Sequence, residues 1–159
     1  MQCLLIRQPY ASLISFGCKR WEFRSYPCKN LGIIGIASSR GSPLKTGSAK
    51  LNKLSRFFPR GVVLATAKIV NSFAVTNEDL KRNFKGQTQV KLHGHTFTVA
   101  SEPLGEPIED IEIAIENNSW KSYAWELDKV TPLKTPIRFR EVPRFSWVNV
   151  NIEKEKEKT

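Results

Sequence analysis

Three cysteines, two histidines and one methionine are all that this 159-residue chain holds of those three residue types. Cys3, Cys18 and Cys28 are an odd set without CxxC spacing, and no stretch resembling a secretion signal precedes them. A disulfide framework is therefore not expected; reduced thiols point to the cytoplasm, with the nucleus as the secondary option in a eukaryote. Cys18 adjoins Lys19 and Arg20, which makes it a candidate for a lowered pKa, but no Cys–His pair accompanies it. His93 and His95 flank Gly94 with no neighbouring Cys, Asp or Glu to complete a ligand set, so neither a metal nor a cofactor is expected. No apolar run approaches the ~20 residues that span a bilayer, and no membrane partner is expected.

Acidic residues are scarce over the first two thirds of the chain. From Gln2 to Phe97 only Glu22, Glu78 and Asp79 occur; most others cluster between Glu102 and Glu116 or in the tail, and the formal net charge is +10. Such an imbalance favours polyanions through steering and counterion release, and it makes RNA, DNA or a nucleotide-like ligand the leading partner class. A hydrophobic content of 40%, with nine Phe and four Trp, indicates a folded chain. Its length suits one domain over residues 1–152, monomeric in the simplest reading, followed by a solvated charged tail over 153–159.

Hydrophobic periodicity predicts strands over Cys3–Arg7, Gly32–Ser38 and Gly61–Phe73, with closing strands over Tyr123–Val130 and Arg144–Ile152 joined through Pro132, Pro136 and Pro143. Leu51, Leu54, Phe57 and Phe58 recur at helical spacing, with Lys50, Lys53 and Arg56 on the wet side of that helix. Thr76 or Asn77 caps a short helix ending near Phe84. QVKLHGHTFTV alternates like a hairpin about Gly94, and the acidic segment from Glu102 to Ser119 reads as a loop with one added strand.

The richest segment is Leu5–Arg24, LIRQPYASLISFGCKRWEFR. Pro9 suits the first position of a short helix and Gly17 its left-handed end. Beyond Gly17 the pattern turns to period two. Lys19, Trp21 and Phe23 fall on one face and Arg20, Glu22 and Arg24 on the other, with a bulge able to bring Lys19 and Glu22 into one cleft. A carboxylate beside a lysine in a low-dielectric cleft can hold a water, shift protons or orient a base edge; an alternating charged strand whose members merely pair with neighbours is the plainer explanation. Trp21 and Phe23 are expected in the core. Arg7 and Gln8 can reach phosphate or base edges, or simply tie the helix to the sheet.

Arg7, Gln8, Pro9, Tyr10 and Ala11, then Gly17, Lys19, Glu22 and Arg24 (G-x-K-x-x-E-x-R), together with Gly61-Val62-Val63 and Tyr123-Ala124-Trp125-Glu126-Leu127, resemble the signature of the ASCH (activating signal cointegrator homology) domain, a PUA-like family. The resemblance spans most of the chain and is weak from Lys85 to Asn118. It implies an α+β fold, a small PUA-like mixed β-barrel with flanking helices, and a ligand cleft lined by Lys19 and Glu22. The expected function is a nucleic-acid-binding module, RNA foremost, using Arg7, Gln8, Tyr10, Lys19, Glu22 and Arg24 in the cleft and Lys50, Lys53, Arg56 and Arg60 at its rim.

Two alternatives stand beside it. Some small bacterial relatives are amidohydrolases acting on acetylated cytidine with a Lys and a Thr at these motif positions; Lys19 matches, whereas Glu22 stands where they carry Thr. In a hydrolase or ribonuclease, Lys19 and Glu22 would be the catalytic pair, with a further carboxylate sought at Glu78 or Asp79. A coregulator-type protein-interaction domain is the third reading, favoured by a Lys19–Glu22 pair closed to solvent.

Overall fold

The computed structural model describes residues 1–92 and 94–156. The chain is α+β: a six-stranded mixed sheet carries the core, and a two-stranded hairpin with flanking helices covers one side of it. Strand β1 (Gln2–Ile6) enters helix α1 (Tyr10–Ser15) across Pro9, and Gly17, at φ +80°, releases the chain toward β2 (Trp21–Arg24). The amides of Gly17 and Cys18 cap the carbonyls of Ile14 and Leu13, as a helix ending on a left-handed glycine requires. Strand β3 (Gly32–Ser38) then runs parallel to β1, and helix α2 (Ala49–Ser55) follows. The sheet order is completed by β4 (Val62–Val75), β7 (Ser122–Arg138) and β8 (Trp147–Asn149), giving β2-β7-β4-β3-β1-β8.

Strands β4 and β7 pair antiparallel from Val62–Arg138 to Val75–Ser122 through three register shifts, which bend the sheet. The expected barrel is not closed by backbone pairing among the described residues: β2 and β8 remain edges. The curl instead brings the end of β2 to β1, where Arg24 donates from Nη2 to the Leu5 carbonyl at 2.8 Å and from Nη1 to Ser146 Oγ at 3.2 Å. Leu4, Ile6, Ile14, Ile36, Ala65, Ile69, Trp125 and Leu127 fill the concave side, with α1 as its plug.

Helix α3 (Asn77–Asn83) starts in a capping box in which Thr76 and Asp79 satisfy each other's backbone amides. Strands β5 (Gln87–Leu92) and β6 (His95–Ala100) form the expected hairpin; His93, half of the histidine pair, lies outside the described residues. The added strand expected after Glu102 is instead helix α4 (Ile108–Asn117). Its Ile111, Ile113 and Ile115 alternate like a strand, yet Ile108, Ile111, Ala114 and Ile115 form the buried helical stripe and Ile113 is left exposed. Trp21, Val75, Leu80, Leu104, Ile111 and Ala114 pack α3 and α4 onto β2, while Leu13, Leu51, Leu54, Phe58, Phe97 and Val99 join α1, α2 and the hairpin.

Three further expectations need adjusting. Phe57 is exposed, because the chain turns after Ser55 and only Phe58 continues the apolar face. Strand β7 runs through Pro132 and Pro136, which are tolerated because β2 pairs with it only from Tyr123 to Glu126, leaving its outer edge free further on. A short helix α5 (Ile152–Lys156) occupies the start of the expected tail, anchored by buried Ile152; residues 157–159 lie outside the described residues.

Candidate nucleic-acid cleft and its cationic margin

Lys19 precedes β2, so strand alternation does not fix its direction. Its side chain is 1% exposed, and Nζ lies 2.6 Å from Glu106 Oε1, 3.3 Å from the Leu104 carbonyl and 4.4 Å from the centroid of Phe23. The partner expected for Lys19 was Glu22; it is Glu106. The segment Pro103–Pro107 is laid over the motif: the Pro103 carbonyl accepts from the amides of Arg20 and Trp21. Gly105 packs so closely on Cys18 and Lys19 that a Cβ there would stand 2.6 Å from the Cys18 carbonyl oxygen. Sequence reasoning missed Glu106; the visible signal was a carboxylate between Gly105 and Pro107 in a segment otherwise read as loop.

Glu22 is buried against Trp125 of β7 in strand register, 3.6 Å from Arg24 Nε, and its Oε2 has no hydrogen-bond partner among the described residues. Burial raises its pKa above the ordinary glutamate range, with Arg24 and Lys19 opposing that shift and Glu106 reinforcing it. Tyr10 is half-buried beside the Lys19–Glu106 pair; burial, then the Glu106 and Asp110 carboxylates, hold its phenol protonated far above the usual range. Cys18 is likewise raised, by burial and then by Glu102, so the lowered thiol pKa expected from its basic neighbours is overturned.

Trp21 is core, and Phe23 packs half-buried against it and against Trp120. Gln8 is fully buried: its amide donates to Ser12 Oγ and the Pro59 carbonyl and accepts from the Ser12 amide, so it ties α1 to the chain after α2 and contacts no solvent. The tie, of its two sequence alternatives, is the one present. Arg7 is exposed and clasps the Ser42 carbonyl through Nε at 3.1 Å and Nη2 at 2.7 Å.

Three concavities are linked here in series by shared lining residues. The first, about 290 Å³, is lined by Tyr10, Lys45, Glu106, Asp110, Ser119 and Trp120 among others; the Trp120 indole N–H is buried without a partner among the described residues. Lys45 also lines the second, about 460 Å³, with Ser42, Asn52, Arg56 and Arg60. Arg60 passes into the third, about 620 Å³, with Arg40, Gly61, Arg138, Phe139 and Arg140. The second and third contain no carboxylate among their lining residues. Lys50 and Lys53 are exposed on α2 but do not line these cavities. Among the described residues no group of three or more His, Cys, Asp or Glu is placed to hold a metal, and no helix is long and apolar enough to cross a membrane.

A curled mixed sheet with a helix in its mouth and a charged cleft beside that helix defines a small α+β cleft domain. Two solved structures of ZmASCH from Zymomonas mobilis, a tyrosine-to-phenylalanine and a serine-to-alanine mutant protein, are similar to this chain in fold. They cover 99% of this chain and 94% and 92% of their own, with TM-scores of 0.55 and 0.54 at 17% and 16% identity. No family model matches the sequence, and no curated protein does. The chain has the ASCH-domain fold.

Proposed function

We propose that this PUA-like domain binds single-stranded RNA, as a monomer inside the cell, along the track formed by the three linked cavities. The observation that carries this reading is that neighbouring cavities share cationic lining residues: Lys45 belongs to the first and second, Arg60 to the second and third. A backbone lying along Lys45, Arg56 and Arg60 meets only cations and neutral groups, while Arg7, Lys50 and Lys53 add to the field from either side. At the inner end, a base entering beside Tyr10 and Trp120 meets aromatic side chains and the Glu106 carboxylate as acceptor, with stacking worth ~1–3 kcal/mol. Lys19, Glu22 and Arg24 act behind this surface: Lys19 fixes Glu106, Arg24 holds the sheet's curl, and Glu22 sits beneath both.

Binding of short single-stranded RNA should weaken with salt, and Lys45→Glu with Arg56→Glu should lower the slope of log affinity on log salt by about 1.4, for two phosphate contacts on a single strand. An unchanged slope in this variant overturns the proposed track; tighter binding to duplex DNA than to RNA overturns the choice of polymer.

A hydrolase reading has one observation in its favour. The Tyr10 phenol, Glu106 carboxylate and Lys19 ammonium form a buried chain at a cavity of small-molecule size. In that case Glu106, rather than Glu22, is the carboxylate presented to substrate. Release of acetate from acetylated cytidine, or cleavage of the RNA in the same titration samples, would replace the binding module with an enzyme.

A further inference from the structure

Arg40, Arg60, Arg138 and Arg140 converge from three separate stretches of chain on one cavity of about 620 Å³ at the outer end of the track. Arg138 and Arg140 flank Phe139, which is 1% exposed, so the two-residue period that buries the phenyl ring turns both guanidinium groups outward. Arg40 arrives from the segment between β3 and α2. Its Cζ lies 4.5 Å from the centroid of the Phe139 ring, and it donates to the Phe139 carbonyl at 2.6 Å and the Glu141 carbonyl at 3.2 Å. Arg60, Arg138 and Arg140 have no side-chain hydrogen bond or ion pair among the described residues, and Glu141 turns its carboxylate onto the Arg140 amide at 2.9 Å.

Like charges gathered with no ion-paired side chain among the described residues repel one another, and an anion relieves that repulsion. The planar donor forks select an oxyanion that offers several oxygens at once. An internal phosphodiester offers two free oxygens and a single charge, whereas a terminal phosphate offers three oxygens and about −1.5 to −2 charges. The cavity is large enough to take the attached sugar as well, and Arg60 connects it to the groove that would carry the rest of the strand. We propose that the four-arginine cavity is a receptor for the phosphorylated end of a nucleic-acid strand, with the phosphomonoester seated between Arg138, Arg140 and the preset Arg40. This rests on the RNA-binding reading above and adds to it an end preference.

The test uses the full chain and short single-stranded RNAs of one sequence carrying a 5′-phosphate, a 3′-phosphate or hydroxyl at both ends, with a nucleoside diphosphate titrated alone. Wild type should bind one of the phosphorylated RNAs at least about tenfold more tightly than the hydroxyl-ended one, and which end is preferred gives the strand's direction. Arg138→Gln with Arg140→Gln should abolish that difference, so that the phosphorylated and hydroxyl-ended RNAs bind the variant with equal affinity. Both positions are exposed, and an unchanged melting temperature establishes that the variant folds. Equal affinity for all three RNAs overturns the end receptor and leaves the track standing. Arginine-dependent binding of the nucleoside diphosphate without any binding of hydroxyl-ended RNA supports the receptor and overturns the track.

Discussion

Removing either partner of the Lys19–Glu106 pair should cost far more than removing both. The two side chains are 1% and 6% exposed and 2.6 Å apart. Lys19→Met leaves a buried carboxylate beside the Tyr10 phenol; Glu106→Leu leaves a buried ammonium with the Leu104 carbonyl as its hydrogen-bond acceptor among the described residues, two aromatic faces and the Glu22 carboxyl nearby. Stranding one charge in such a site costs ~3–5 kcal/mol, whereas replacing both by apolar groups is often neutral. In a domain of this size each kcal/mol moves the melting temperature by ~2–4 °C, so each single variant should melt about 6–20 °C below wild type and the double variant above either single. Thermal unfolding followed by circular dichroism reads all four corners of the cycle. Arg20→Gln is an internal control: its pair with Glu102 is 3.9 Å long and exposed, and its loss should cost ~1 kcal/mol or less. A double variant whose loss equals the sum of the singles would refute the claim that these charges are held for each other.

Glu22 should make the protein less stable as pH rises from the ordinary carboxyl value of 4.5 through its own raised one, because the folded state holds that proton more tightly than the unfolded chain. Melting curves of Glu22→Gln across that window should be flatter than those of wild type, and parallel profiles would contradict the assignment. Gly105→Ala should destabilise by ~1–3 kcal/mol, since its Cβ meets the Cys18 carbonyl and the Lys19 backbone at a residue with φ +61°. With its cover displaced, Lys19 should become reactive toward an amine-directed label read by mass spectrometry; a wild-type labelling rate would show that the cover is not what shields it.

The strands about Gly32–Ser38 and Val62–Val75, the α1 stop at Gly17 and the Thr76 cap were legible because each rests on local chemistry: alternation, a left-handed glycine, a short side chain reaching back to an amide. Helix α4 was not, because isoleucines at 111, 113 and 115 satisfy a two-residue period as well as a helical one until Leu104 and Leu80 decide which of them are covered. The motif residues Lys19, Glu22 and Arg24 stood out as a group, but their partners did not. Lys19 is completed by a residue 87 positions later, and Arg24 by Leu5 and Ser146. Gln8 was legible as polar and junctional, while its burial depends on Pro59. The arginine cavity escaped notice because Arg40, Arg60, Arg138 and Arg140 become neighbours only through the β4–β7 ladder and the turn back from β3.

Because Arg24 bridges the end of β2 to Leu5 and Ser146, the curled sheet has a seam rather than a continuous wall. On either side of that guanidinium the outer main-chain groups of two edge strands lack ladder partners among the described residues, so the wall is stiff through its inner strands and compliant along one line. Any breathing of the open, curled sheet should concentrate there, at the strand that carries the cleft's own glutamate and arginine, and leave the long β4–β7 ladder as the fixed frame against which it moves.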